Sequence, residues 1–147
     1  MQNQSLISKS DKILIAGASG MVGSALQRNL LKNKYGDKNL KGKIFTPNRK
    51  ELNYLNNDMV KSWFKNFKPN VVIISAAKVG GIYANQIYPA NFLLENLRIQ
   101  TNIIENAWLS GVKRLLFLGS SCIYPKLSSQ PIDEESLLSG YLERTNE

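Results

Sequence analysis

The chain has 147 residues, a net charge of +8, a single cysteine and no histidine, enough for one domain with a real core but not for a disulfide framework or an ordinary Cys/His zinc site, so no metal is expected. No apolar run approaches the ~20 residues of a membrane span, and the polar residues 1–11 lack a signal peptide's apolar core, which reads as a tail on a soluble, cytoplasmic protein with no membrane partner. The lysines are dispersed, with Lys32, Lys34, Lys38, Lys41 and Lys43 around one loop and Lys61, Lys65 and Lys68 on one helix, so the charge reads as solvated surface suited to a phosphate-rich small ligand, with no nucleic-acid partner.

Residues 13–16 are a short apolar run closed by glycine, which predicts a buried parallel strand. A helix follows over residues 21–31, with Val22, Ala25, Leu26, Leu30 and Leu31 as its apolar face. Residues 33–42 form a loop rich in Lys, Asn and Gly, and residues 43–46 a second strand that Pro47 helps to stop. After a connection over residues 52–57, Asp58 is the expected cap of a helix running to about Phe67, with Val60, Trp63, Phe64 and Phe67 facing inward. Residues 71–75, apolar without alternation, predict a third strand covered on both faces.

A loop of small residues then passes through Gly80 and Gly81. Pro89 opens the longest helix, to about Ser110, with Phe92, Leu93, Leu97, Ile103, Ile104, Ala107 and Trp108 at spacings of three and four and Gly111 just beyond its end. Residues 115–118 are a fourth strand, and after Gly119 the pattern gives way to Ser, Pro and acidic residues with one short helical turn over residues 134–138. Such alternation predicts an α/β fold, a three-layer Rossmann-type parallel sheet with helices on both faces, truncated after the fourth strand. The expected strand order is 3-2-1-4, with the ligand across the carboxyl ends of strands one and four.

Gly17, Gly20 and Gly23 follow the first strand and open the first helix. In that context the spacing points to a dinucleotide pyrophosphate: Gly17 for the turn, Gly20 for close approach, Gly23 for helix packing, and the helix N-terminus for positive charge. Ala18, Ser19, Met21 and Val22 complete the turn. A 2′-hydroxyl reader would be an acid at the end of strand two, but that end reads Pro47-Asn48-Arg49-Lys50. Arg49 and Lys50 either serve a 2′-phosphate, which indicates NADP, or are plain surface charges. Two further stretches stand out, Ser75-Ala76-Ala77-Lys78-Val79-Gly80-Gly81 after strand three and Leu118-Gly119-Ser120-Ser121-Cys122-Ile123-Tyr124-Pro125-Lys126 after strand four.

The glycine turn together with Gly119-Ser120-Ser121 resembles the extended short-chain dehydrogenase/reductases. Ala76-Ala77-Lys78-Val79-Gly80-Gly81, Gly119 through Lys126, Arg49-Lys50-Glu51-Leu52-Asn53 and Tyr88-Pro89-Ala90-Asn91-Phe92 narrow the resemblance to the GDP-L-fucose synthase family, over residues 12–147. The resemblance implies conversion of GDP-4-keto-6-deoxy-D-mannose to GDP-L-fucose by 3,5-epimerisation and NADPH-dependent reduction at C4. It places NADP(H) against Gly17 to Gly23, Arg49, Lys50, Glu51, Leu52, Asn53, Tyr54, Ala76, Ala77, Leu118, Gly119, Ser120 and Ser121. Ser120 would hydrogen-bond the C4 oxygen, and Cys122 would move protons at C3 and C5; the plain alternative for Cys122 is a small buried residue. The family is a homodimer joined by helices, one of them matching the helix from Pro89.

The family's reductase step uses Tyr-x-x-x-Lys. Tyr35, Tyr54, Tyr83, Tyr88, Tyr124 and Tyr141 are followed four places on by Asn39, Asp58, Ile87, Phe92, Ser128 and Thr145, so the pair is absent, as is the histidine that partners the cysteine. The expectation is the N-terminal part of an NAD(P)-binding domain without its substrate domain, inactive alone, with strand four an unprotected edge and apolar surface open on one face. It would act either as one half of an enzyme completed by a separate C-terminal half, or as a non-catalytic NADP-binding fragment or remnant. Another nucleotide-sugar epimerase or dehydratase is a further alternative, disfavoured by the cysteine two residues after the serine.

Overall fold

Strand β1 (Lys12–Ala16) is the middle of the molecule's sheet, and its side chains alternate between two cores. A computed structural model describes residues 6–146; residues 1–5 of the expected tail and Glu147 lie outside the described residues. Leu14 and Ala16 face one cluster, with Phe45, Leu52, Val72 and Ile74, while Ile13 and Ile15 face the other, with Leu30, Val71 and Ile73. A strand buried on both faces has no use for polar alternation, which is why it reads as an unbroken apolar run.

Strands β2 (Lys43–Phe45), β3 (Val71–Ile74) and β4 (Arg114–Phe117) complete a parallel sheet in the order β2-β1-β3-β4. The expected 3-2-1-4 order is corrected. Among the described residues no strand forms beyond β2, because residues 48–56 close into side-chain-capped turns: the N–H groups of Lys50 and Glu51 donate to Asn48 Oδ1, and Leu55 N–H donates to Asn53 Oδ1. The chain therefore returns to the other side of β1, and the order reverses between β1 and β3, which is where a crevice opens in sheets of this type. Asn70 fixes the register at the base: its Oδ1 accepts from Lys12 N–H, its own N–H donates to Lys12 O, and its carbonyl accepts from Lys113 and Arg114.

Helix α1 (Met21–Lys32) covers one face of the sheet, while α2 (Asn57–Phe67) and α4 (Pro89–Leu109) cover the other through Val60, Trp63, Phe64, Ile103 and Ala107. The α2 cap is Asn56, whose Oδ1 accepts from Met59 N–H at 2.9 Å; Asp58, the expected cap, sits in the first turn, where its charge still suits the helix dipole. Phe67 is 40% exposed yet stacks on Trp63 at 4.7 Å.

The predicted apolar faces are only partly used. In α1, Gly23 and Leu30 are buried and Leu26 is half-buried, whereas Val22, Ala25 and Leu31 are exposed. In α4, Ile103 and Ala107 are buried and Phe92 is half-buried, while Leu93, Leu97, Ile104 and Trp108 are exposed along one stripe. These helices each rest on the sheet by one narrow face, so the remaining apolar positions stay exposed. Strand β4 is open on both faces, not one: Leu115, Leu116, Phe117 and Leu118 are all exposed.

The elements named so far, with α4 from Ala90, form one compact unit; Gly80–Pro89 and the segment from Gly119 form a second. The second unit holds a short helix α3 (Ile82–Ile87), which sequence reading placed in a loop, and 3-10 turns at Ser121–Ile123, Glu134–Ser136 and Arg144–Asn146. Its Lys126–Glu143 ion pair at 2.7 Å and the bond from Lys126 N–H to Tyr141 O tie two loops together. The hydrogen bond from Lys126 holds the Glu143 carboxyl below its ordinary range.

Candidate dinucleotide cleft

The first unit carries a cleft of about 720 Å³ at the carboxyl ends of β1, β2 and β3, a volume that suits a small-molecule site. Its base is the β1 exit. Gly17 has φ +85°, and a Cβ there would lie 2.7 Å from Ala76 N, so the backbones leaving β1 and β3 touch with no side chain between them. Ser75 closes the same seam, donating from both its N–H and its Oγ to Ala16 O. Gly23 is equally constrained, since a Cβ would run into Gly17 O. Gly20 differs: a Cβ there would meet only Gly17 O, at 3.3 Å. Two of the glycines are thus demanded by packing, and the middle one leaves room in front of the helix.

Gly20 N–H closes the turn onto Gly17 O at 3.0 Å, and α1 starts immediately after it with no side-chain cap. The N–H groups of Met21, Val22 and Gly23 therefore have no acceptor among the described residues. No acidic side chain occupies that turn. A row of unpaired N–H groups at the positive end of a helix is a site for an anion.

The second rim comes from the turn after β2. Pro47, Asn48 and Arg49 line the cleft, and Arg49 has no hydrogen-bond or ion-pair partner among the described residues. Glu51 is turned away from the cleft lining: its carboxylate accepts from Asn48 N–H at 2.8 Å. The cleft thus keeps a free cation and loses a nearby acid.

Of the residues expected around a cofactor, Gly17, Ser19, Gly20, Met21, Val22 and Gly23 line the cleft, as do Arg49, Leu52, Asn53, Tyr54, Ala76 and Ala77. Ala18 is instead a buried member of the α1-side core, and Lys50, Glu51 and Leu118 do not line the cleft. Burial pushes the Tyr54 phenol above its ordinary range, and its hydroxyl has no partner in the described protein. Lys78, within the small-residue stretch after β3, lines the cleft, and so do Glu95 and Ile99 of α4, which no sequence motif marks. Lys78 pairs with Glu95, and Asn96 accepts from Lys78 N–H and donates to Lys78 O. No sequence periodicity records such contacts, because they join positions 17 and 18 residues apart.

Gly119, Ser120, Ser121 and Cys122 belong to the second unit. There Ser120 Oγ accepts from Cys122 N–H at 3.2 Å, which caps the short turn, and Cys122 is an exposed free thiol rather than a buried filler. Among the described residues no cluster of His, Cys, Asp or Glu could hold a metal ion, and no helix is long and apolar enough to cross a membrane.

Residues 13–147 match the model of the NAD dependent epimerase/dehydratase family. The chain belongs to that family. Among its curated relatives, a putative GDP-L-fucose synthase 2 of Arabidopsis thaliana is 50% identical over 97% of this chain and 42% of its own length. A GDP-L-fucose synthase of Escherichia coli K12 is 48% identical over 92% of this chain and 40% of its own length. Among solved structures, the GDP-mannoheptose C4 reductase of Campylobacter jejuni with NADP bound superposes with a TM-score of 0.83 at 37% identity, covering 95% of this chain and 42% of that one. The chain therefore spans about two-fifths of the length of the epimerase/dehydratase relatives it matches.

Proposed function

We propose that this chain binds NADP(H) in the cleft between β1 and β3 and forms the cofactor-binding part of a GDP-L-fucose synthase. The observation that carries the reading is the pairing of an uncapped α1 N-terminus with an unpartnered Arg49 on the opposite rim. The first suits a pyrophosphate and the second a 2′-phosphate. When bound, NADPH supplies the hydride for reduction at C4 of GDP-4-keto-6-deoxy-D-mannose. In the complete enzyme Ser120 would hydrogen-bond the C4 oxygen and Cys122 would shift protons at C3 and C5, whose C–H bonds are acidified by the neighbouring ketone. In a titration followed by NADPH fluorescence, Arg49→Ala should weaken NADPH about tenfold, the value of one charge-assisted phosphate contact, and NADH hardly at all. Equal losses for the two cofactors would remove the 2′-phosphate assignment.

The 147 residues contain no Tyr-x-x-x-Lys and no histidine, so this polypeptide has no such proton donor for the C4 oxygen. We infer that by itself it binds cofactor without turning over, and that the substrate grip belongs to sequence matching the rest of its relatives' length. Such an enzyme would be cytoplasmic, and the exposed Leu93, Leu97, Ile104 and Trp108 stripe on α4 suits a homodimer contact. Purified 147-residue chain that consumed GDP-4-keto-6-deoxy-D-mannose would overturn the inference.

A further inference from the structure

A cleft shaped for an anion should not contain a carboxylate, yet this one does. Among the described residues Arg49 and Lys78 are the only cationic side chains that line it, and Glu95 is the only carboxylate. Glu95 is bound to Lys78 in an ion pair, and the two side chains are 29% and 32% exposed. The pair is therefore neither fully buried nor free in water.

Lys78 has two further anchors besides Glu95. The Asn96 side chain grips both backbone groups of Lys78, accepting from its N–H at 2.7 Å and donating to its carbonyl at 2.9 Å. The ammonium also lies over the Phe92 ring, 5.3 Å from its centre, a favourable place for a cation. Asn96 thus fixes the main chain, and Phe92 offers the ammonium a ring face. What Glu95 adds is a charge: it occupies one of the three ammonium donors and cancels most of the positive field at this wall of the cleft.

We propose that Glu95 sets the affinity of the cleft for its dinucleotide by competing with the ligand's phosphates for Lys78. The inference rests on the cofactor reading above and deepens it: Lys78 is a second phosphate-facing cation beside Arg49, held in check by Glu95. A built-in counter-charge cancels one of the two cations on the cleft wall and leaves Arg49 and the helix end positive, which limits how tightly a polyanion is held and suits a site that must release a spent cofactor.

The decisive variant is Glu95→Gln, which keeps an acceptor for the ammonium and removes the charge. Affinity for NADPH, read by cofactor fluorescence at several salt concentrations, should rise about three- to fivefold, with a steeper loss on adding salt. Lys78→Met should weaken binding by a similar factor and flatten the salt dependence, and Glu95→Gln added to Lys78→Met should give a smaller gain than in the parent chain, because only the carboxylate's own repulsion is removed and no ammonium is released. A purely structural role for the pair predicts the reverse for Glu95→Gln, a looser wall and weaker binding. Unchanged or weaker NADPH binding by Glu95→Gln, while the parent chain binds normally, overturns this inference alone. No NADPH binding by the parent chain overturns the cofactor reading and this inference together.

Discussion

Gly17→Ala is expected to abolish NADPH binding and to cost about 3 kcal/mol of stability, from a left-handed residue that must now carry a side chain and from overpacking at a rigid wall. The Cβ would arrive 2.7 Å from Ala76 N and 2.8 Å from Ser75 C, and both are backbone atoms held in the seam with Ala16. Neither can swing aside as the end of a side chain could. Relief requires the β1 and β3 exits to part, and that moves the first turn of α1 away from its place over the cleft. The matched control is Gly20→Ala, where a Cβ meets only one carbonyl at 3.3 Å. It should leave the urea midpoint nearly unchanged and still impair NADPH binding, because its methyl group occupies the approach to the helix N-terminus. If Gly17→Ala bound NADPH like the parent, the seam would not be part of the site.

The second large effect is Phe64→Ala, for which a loss of about 4 kcal/mol is expected. Phe64 is fully buried, meets Trp63 edge-to-face at 5.6 Å, and belongs to the cluster that joins α2 and α4 to the sheet. That loss is a large share of the ~5–15 kcal/mol that holds a domain of this kind together. The effect reaches the cleft, because Leu52 belongs to the same buried cluster and also lines the cavity. Urea unfolding of Phe64→Ala beside Phe67→Ala is the direct comparison, since Phe67 is 40% exposed and should lose much less. Equal losses would mean that the α2 core is not organised as described.

Much of this arrangement is legible in the residues alone, and what is not has identifiable physical causes. The strand runs and the glycine turn are local signals, and each strand forms within a residue or two of its expected span. Strand order is not local. It depends on whether residues 48–56 extend or curl, and three Asn side chains, Asn48, Asn53 and Asn56, decide that by capping backbone N–H groups. The cap of α2 was misplaced by two residues because Asn56 and Asp58 are both competent caps, and only geometry chooses between them. Helix α3 is six residues long, too short for a periodic signal. At the site, the glycines and Arg49 were readable because their chemistry sits in one short stretch. Glu95 was not, because its meaning comes entirely from a lysine 17 residues earlier. The exposed faces of α1, α4 and β4 have the opposite cause: an apolar periodicity says that a surface wants cover, not which surface provides it.

The seam between Ala16 and Ser75 has a consequence for the order of events as the protein folds. The two strands it joins lie far apart along the chain; their first bond, Lys12 N–H to Asn70 Oδ1, spans 58 residues. Closing a loop of that size is entropically costly and yields nothing until the partners meet, so docking of β1 on β3 is expected to follow the more local contacts. The cleft is built from both strand exits, so a chain in which β1 and β3 are undocked lacks it. A dinucleotide that grips it binds only the finished sheet, and by mass action draws the population toward that state. With a fourth strand exposed on both faces, a bound ligand would therefore add conformational stability to the sheet.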